Sequence, residues 1–139
     1  MVQIRSLKKL DLPDVIKIIK EACIFDKTWD SADNLISMVE KDKDAVYVAQ
    51  VNNKIAGLIQ IVPYGQNVSW LFRLIIKKQF RGSGIGSKLL KKAEEILKKK
   101  GNKEIGLFVN AENNNLKSFY KKRGFKSSNK KCLYLWKKI

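Results

Sequence analysis

Histidine is absent from this 139-residue chain, and cysteine and proline occur only twice each. Without histidine, the usual zinc ligand sets and any histidine-based nucleophile triad are excluded. Cys23 and Cys132 fit no metal-binding spacing and read as two reduced thiols. No apolar run approaches the roughly 20 residues that a membrane-spanning helix needs. The opening Met-Val-Gln-Ile-Arg lacks the apolar stretch of a secretion signal. These absences point to a cytoplasmic protein without a membrane partner or a metal. At this length one domain, residues 1–139, with a real core is expected.

Acidic residues are scarce in one half only. Residues 1–70 hold 9 Lys/Arg and 9 Asp/Glu, whereas residues 71–139 hold 20 and 4 and so carry the whole net charge of +16. A positive field over the second half would raise the capture rate of a polyanion. Lysine makes up 25 of the 29 basic residues, a pattern that solvated surface lysines produce equally well.

The second half also carries the most informative run, Gln79-Phe80-Arg81-Gly82-Ser83-Gly84-Ile85-Gly86. It follows the Leu- and Ile-rich run 71–76, which reads as a buried strand. It precedes a stripe at helical spacing, Ile85, Leu89, Leu90, Ala93, Ile96 and Leu97, with lysines opposite. Three glycines allow a tight turn and leave the first helix amides uncovered, a site for phosphate or pyrophosphate. A nucleotide-triphosphatase loop is excluded, because Ser87 stands where its second glycine belongs and Leu89 where its hydroxyl belongs. A dinucleotide fingerprint fails at Ser87 as well. Arg-x-x-Gly-x-Gly fits, read from Arg81 to Gly86.

Downstream, Asn113-Asn114-Asn115-Leu116-Lys117-Ser118-Phe119-Tyr120-Lys121-Lys122-Arg123-Gly124-Phe125 sets an Asn seven residues before a Tyr, followed by Gly-Phe. The order of elements read from periodicity and turn residues is β-α-α-β-β-β-α-β-α-β-β. Its strands are Gln3–Arg5, Ala45–Val51, Ile55–Val62, 68–76, Glu104–Val109, Phe125–Ser127 and Leu133–Trp136, the last two paired across Ser128–Lys131. Helices are expected from Asp11-Leu12-Pro13 to about Cys23, from Ser31 to about Lys41, from Gly84 to Lys100 and from Asn113 to Lys122. A mixed, twisted α/β sheet of about seven strands with helices on both faces follows.

The glycine loop, the Asn…Tyr…Gly-Phe stretch and the element order together resemble the GNAT superfamily of N-acetyltransferases. The resemblance implies acetyl-coenzyme A as cosubstrate and an amine acceptor, which attacks the thioester directly. It places the pyrophosphate on Arg81, Gly82, Ser83, Gly84, Ile85, Gly86 and Ser87, and the pantetheine arm on the backbone of Leu74, Ile75 and Ile76. Asn113 and Tyr120 also fall to the cofactor, with Tyr120 as the general acid for the departing thiolate. The bland readings stand beside these: Asn113 as a helix N-cap, Tyr120 as an apolar helix residue beside Phe119, Gly124 as a C-cap.

Many relatives carry a glutamate on the strand before the glycine loop. Here Val68-Ser69-Trp70-Leu71-Phe72-Arg73 holds no carboxylate, so the general base is open. Asp26, Asp30 and Asp33 fall where relatives build one wall of the acceptor cleft, and they read as helix-terminal, solvated residues. Two other classes compete. A non-catalytic acyl-coenzyme A sensor would bind without transfer. A nucleic-acid binder would use Lys98–Lys100 and Lys121–Arg123 against phosphates, though arginine, the usual reader of bases, is scarce. The expected assembly is a monomer or a homodimer.

Overall fold

The computed structural model describes residues 1–139 and divides into two units, Met1–Leu107 and Phe108–Ile139. The first unit is a five-stranded sheet with β1 (Val2–Ser6), β2 (Val46–Val51), β3 (Lys54–Tyr64), β4 (Val68–Ile76) and β5 (Glu104–Gly106) in spatial order. The first three pairings are antiparallel and β4–β5 is parallel, so the sheet is mixed as expected. Asn52 and Asn53, both at positive φ, form the two-residue turn between β2 and β3; asparagine tolerates that conformation better than most residues.

Helices cover both faces. On one side α1 (Leu12–Glu21) and α2 (Ala32–Lys41) bury Leu12, Val15, Ile18, Ile19 and Leu35 against Val46, Val48, Leu58 and Ile75. Pro13 sits in the first turn of α1, where its missing N–H costs nothing, and the Ser31 hydroxyl caps α2 by accepting the Asn34 N–H at 3.2 Å. On the other side α3 (Ile85–Lys99) packs on β3 and β4 through Ile85, Leu89, Leu90, Ala93 and Leu97. Each of the fully buried leucines, isoleucines and valines contributes about 1.5–3 kcal/mol.

Strand β5 is held tightly at its start, where Asn67 C=O accepts the N–H groups of both Lys103 and Glu104. Trp70 of β4 lies across Gly106, and a Cβ there would meet its ring at 2.7 Å. Only glycine lets the two strands approach under the indole. The strand ends there, shorter than the expected Glu104–Val109.

The second unit contains α4 (Asn114–Lys121) and no strand. The Asn113 side chain caps α4 by accepting the Leu116 N–H at 3.1 Å. At the other end Phe125 N–H bonds Tyr120 C=O, Gly124 N–H bonds Lys121 C=O, and Gly124 takes φ +91°. That pair of bonds with a left-handed glycine is the Schellman ending.

The two C-terminal strands expected at Phe125–Ser127 and Leu133–Trp136 are absent, so the sheet has five strands rather than about seven. The intended turn explains why. Asn129 and Lys130 N–H groups are taken by the Ser127 and Ser128 hydroxyls, and Asn129 is left-handed. These bonds are local to the turn and supply no pairing between Phe125–Ser127 and Leu133–Trp136. A two-stranded hairpin bearing Lys126, Lys130 and Lys131 has little else to hold it. No helix of the chain is long and apolar enough to cross a membrane.

Candidate functional site

Strand β4 is the organising element. Its ladder with β5 covers only Val68–Trp70, so residues 71–76 have no strand on the β5 side. Apart from the Ile76 C=O, which Arg81 holds, their outward N–H and C=O groups form an open edge, able to pair with an extended, amide-bearing ligand. Leu74, Ile75 and Ile76 all lie on this stretch, with Ile75 buried and the other two half-buried. The structure thus places the three residues expected to hold the pantetheine arm on an open strand edge.

A bulge interrupts the same stretch. Leu58 pairs with Ile75 and Gln60 with Phe72, so Ile59 faces two residues, Arg73 and Leu74. Arg73 takes φ +52°, a conformation that side chains other than Gly, Asn and Asp rarely adopt. Across from Phe72, Gln60 is buried with no partner for its side-chain NH2.

Beyond β4 a short 3-10 turn, Lys78–Phe80, leads into the glycine loop. Gly82 and Gly84 stand at φ +79° and +82°, and Gly84 is the N-cap of α3. No side chain caps this helix, and its first bond runs from Lys88 N–H to Gly84 C=O. The amides of Ile85 and Gly86 therefore have no carbonyl within the helix to bond. No acidic residue occupies the first turn, while Lys78, Arg81 and Lys88 are exposed around it. The Ser83 hydroxyl donates to Phe80 C=O at 2.7 Å and closes the turn. The loop fits a pyrophosphate by its donors, its left-handed glycines and its charge. Arg81 has a further role that the sequence does not reveal: its Nε donates to Ile76 C=O at 2.9 Å, tying the loop to the end of β4.

In the second unit Asn113 and Tyr120 lie two helical turns apart on α4. Tyr120 packs edge-on against Phe119 and Phe125, with centroids at 5.1 and 5.4 Å. Partial burial raises its pKa above 10.0, so the phenol holds its proton at neutral pH. The spacing Asn…Tyr…Gly-Phe now has a local cause, since Asn113 starts the helix and Gly124-Phe125 folds back onto Tyr120.

The three candidate aspartates separate. Asp33 is exposed in the first turn of α2, as expected. The Asp26 Oδ1 accepts the N–H groups of Thr28 and Trp29, also near solvent. Asp30 overturns the expectation of a solvated residue: it is 1% exposed. Both its oxygens are engaged by Arg73, Nε at 3.0 Å and NH2 at 2.9 Å, and Oδ2 also accepts the Asp26 N–H. A carboxylate so engaged is poorly suited to attract an amine or take its proton. Arg73 is not among the residues expected at the site, although a charge inside an apolar strand run is a signal visible in the sequence.

Residues 12–125 match the model of the acetyltransferase (GNAT) family. An uncharacterised N-acetyltransferase of Methanocaldococcus jannaschii is 30% identical over 134 residues, covering 88% of this chain and 59% of the relative. The chain thus spans about three fifths of that relative's length. A spermidine N(1)-acetyltransferase of Thermoplasma acidophilum is 45% identical over 60 residues, 43% of this chain and 37% of that protein. Among solved structures, the PaiA N-acetyltransferase of Thermoplasma acidophilum in complex with coenzyme A aligns with TM-score 0.83 and 28% identity. That alignment covers 94% of this chain and 93% of the other.

Proposed function

Because this chain belongs to the acetyltransferase (GNAT) family, we propose that it transfers the acetyl group of acetyl-coenzyme A directly to a primary amine. The observation that carries this reading is the open edge of β4 running straight into the glycine loop and the uncapped start of α3. The loop amides and Arg81, Gly82, Ser83, Gly84, Ile85, Gly86 and Ser87 take the pyrophosphate. The backbone of Leu74, Ile75 and Ile76 takes the arm.

In the reaction the amine nitrogen bonds the thioester carbon, the carbon–sulfur bond breaks, and an amide and a thiol result. Backbone N–H groups of the open edge stabilise the oxyanion that develops on the carbonyl. Tyr120 donates the proton that the departing sulfur needs, an assignment supported by its motif spacing and its protonated phenol. With Asp30 engaged by Arg73, the amine proton leaves through water rather than to that carboxylate.

The acceptor is the free α-amine of a peptide, a lysine side chain or a small amine. The net charge of +16 and the engagement of Asp30 both weigh against a polycation. We therefore favour a peptide or a monoamine, in contrast to the polyamine that names the Thermoplasma acidophilum relative. The test is an amine panel with acetyl-coenzyme A, following release of free thiol. Transfer to at least one peptide or monoamine, lowered in Tyr120→Phe by about 10²–10⁴-fold, is expected for loss of a general acid. No thiol release with any amine would leave a protein that binds without catalysing. Equal rates in Tyr120→Phe would remove that residue from the chemistry.

A further inference from the structure

The bulge of β4 and the loop between α1 and α2 are joined by one ion pair, and the bulge decides how the following residues present themselves. Before it, Phe72 and Trp70 pair with Gln60 and Val62. After it, Ile75 pairs with Leu58 and joins the core under α1. In an uninterrupted strand the alternation from Phe72 would put Leu74 and Ile76 on that face instead. The one extra residue therefore inverts both the faces and the edges of 74–76.

Nothing in Arg73 itself favours the left-handed conformation that the bulge requires, since that region costs a side chain with a Cβ. What holds it is Asp30. The guanidinium is bound through two nitrogens to a carboxylate that is 1% exposed. The carboxylate is itself fixed by the Asp26 N–H, and the Asp30 N–H returns a bond to Asp26 C=O at 2.7 Å. Asp26 in turn holds the amides of Thr28 and Trp29. The Trp29 ring meets Phe72 edge-on with centroids 6.3 Å apart, and the guanidinium lies 5.6 Å from it. Residues 26–30 thus form a small closed turn seated on Phe72 and Arg73, immediately before Leu74–Ile76.

We propose that Arg73 and Asp30 are a positioning pair for acetyl transfer, holding the bulge of β4 so that the backbone of Leu74–Ile76 faces the acyl donor. This rests on the reading of that backbone as the acyl-donor site. The pair touches neither substrate in this account. It acts by setting strand phase, and Asp30 is thereby withdrawn from acid–base chemistry. A planar, forked guanidinium is required, because an ammonium cannot make the same two-point contact.

The test compares wild type with Asp30→Asn, Arg73→Lys and the double variant Asp30→Asn/Arg73→Gly. Two readouts are taken: amide NMR signals of Leu74, Ile75 and Ile76 in the free protein, and acetyl-coenzyme A affinity by calorimetry. Asp30→Asn and Arg73→Lys should move the three amide signals and weaken binding by about tenfold or more, the scale of a misplaced binding group. The double variant should recover both, because glycine enters the left-handed conformation without the pair. A merely stabilising pair would lower the melting temperature, leave signals and affinity unchanged in the folded variants, and overturn the proposal. Should one single variant fail to fold, the other decides by the same readings; should both fail, a double variant that folds with wild-type signals supports the pair's role, and one that fails as they do contradicts it. If wild type binds no acetyl-coenzyme A, the acetyltransferase reading fails, while the amide signals still judge whether the pair sets the bulge.

Discussion

Every buried apolar side chain lies between Leu7 and Leu97, whereas no residue from Phe108 to Ile139 is buried. The first unit is held by contacts between distant parts of the chain, with two helices on one face of the sheet and one on the other. The second is held by local bonds: an N-cap, a Schellman ending and three aromatic rings within seven residues. The contrast separates two ways of building a site. The open edge of β4 depends on a whole sheet being in register. The orientation of Tyr120 depends on one helix beginning and ending at the right residues.

That contrast is broken most strongly in the core. Leu89→Ala should cost about 2–5 kcal/mol, the range for emptying a buried leucine, and lower the thermal midpoint accordingly; Leu89 is fully buried under the sheet. Gly106→Ala follows at about 1–3 kcal/mol, because its Cβ would enter the Trp70 ring. Denaturant titration measures both, and an unchanged midpoint for Gly106→Ala would show that Trp70 can move aside.

Smaller effects belong to the second unit. Gly124→Ala places a Cβ in the left-handed region for about 1–2 kcal/mol, and Asn113→Ala removes a cap for about 1 kcal/mol. Both should speed amide hydrogen exchange in α4 and leave α3 unchanged. The ionisation of Tyr120 gives a pH signature. Its pKa is raised by burial, so above pH 10.0 the unfolded chain releases a proton that the folded chain retains. Stability therefore falls as pH rises past that value, and Tyr120→Phe should make the fall shallower in alkaline melts. Smallest of all, Leu133→Ala at an 88% exposed position should change stability by less than about 0.5 kcal/mol.

The legibility of the sequence divides along the same line. Helices and the first four strands were readable to within one or two residues, because each carries a strong period and ends at a turn or cap: Ser31, Asn52-Asn53, Gly101 and Asn113. The glycine loop was readable because its left-handed positions can hardly be filled by other residues. The last two strands are misread, since the short apolar, aromatic-rich run Leu133–Trp136 states a preference for a sheet without supplying a partner. The Arg73–Asp30 pair was invisible because its members stand 43 residues apart, and periodicity carries no information about such pairings. Arg81 was placed correctly in the loop, but its bond to Ile76 C=O could only come from the folded chain.

The most direct test of the central claim, that the edge of β4 and the glycine loop form one acyl-donor site, is a calorimetric titration with acetyl-coenzyme A at low and physiological salt, alongside Gly84→Val. Binding should weaken but persist at higher salt, as expected when phosphate contacts are only part of the interaction, and should be lost in Gly84→Val. Absence of binding at either salt, or equal binding by the variant, would contradict it.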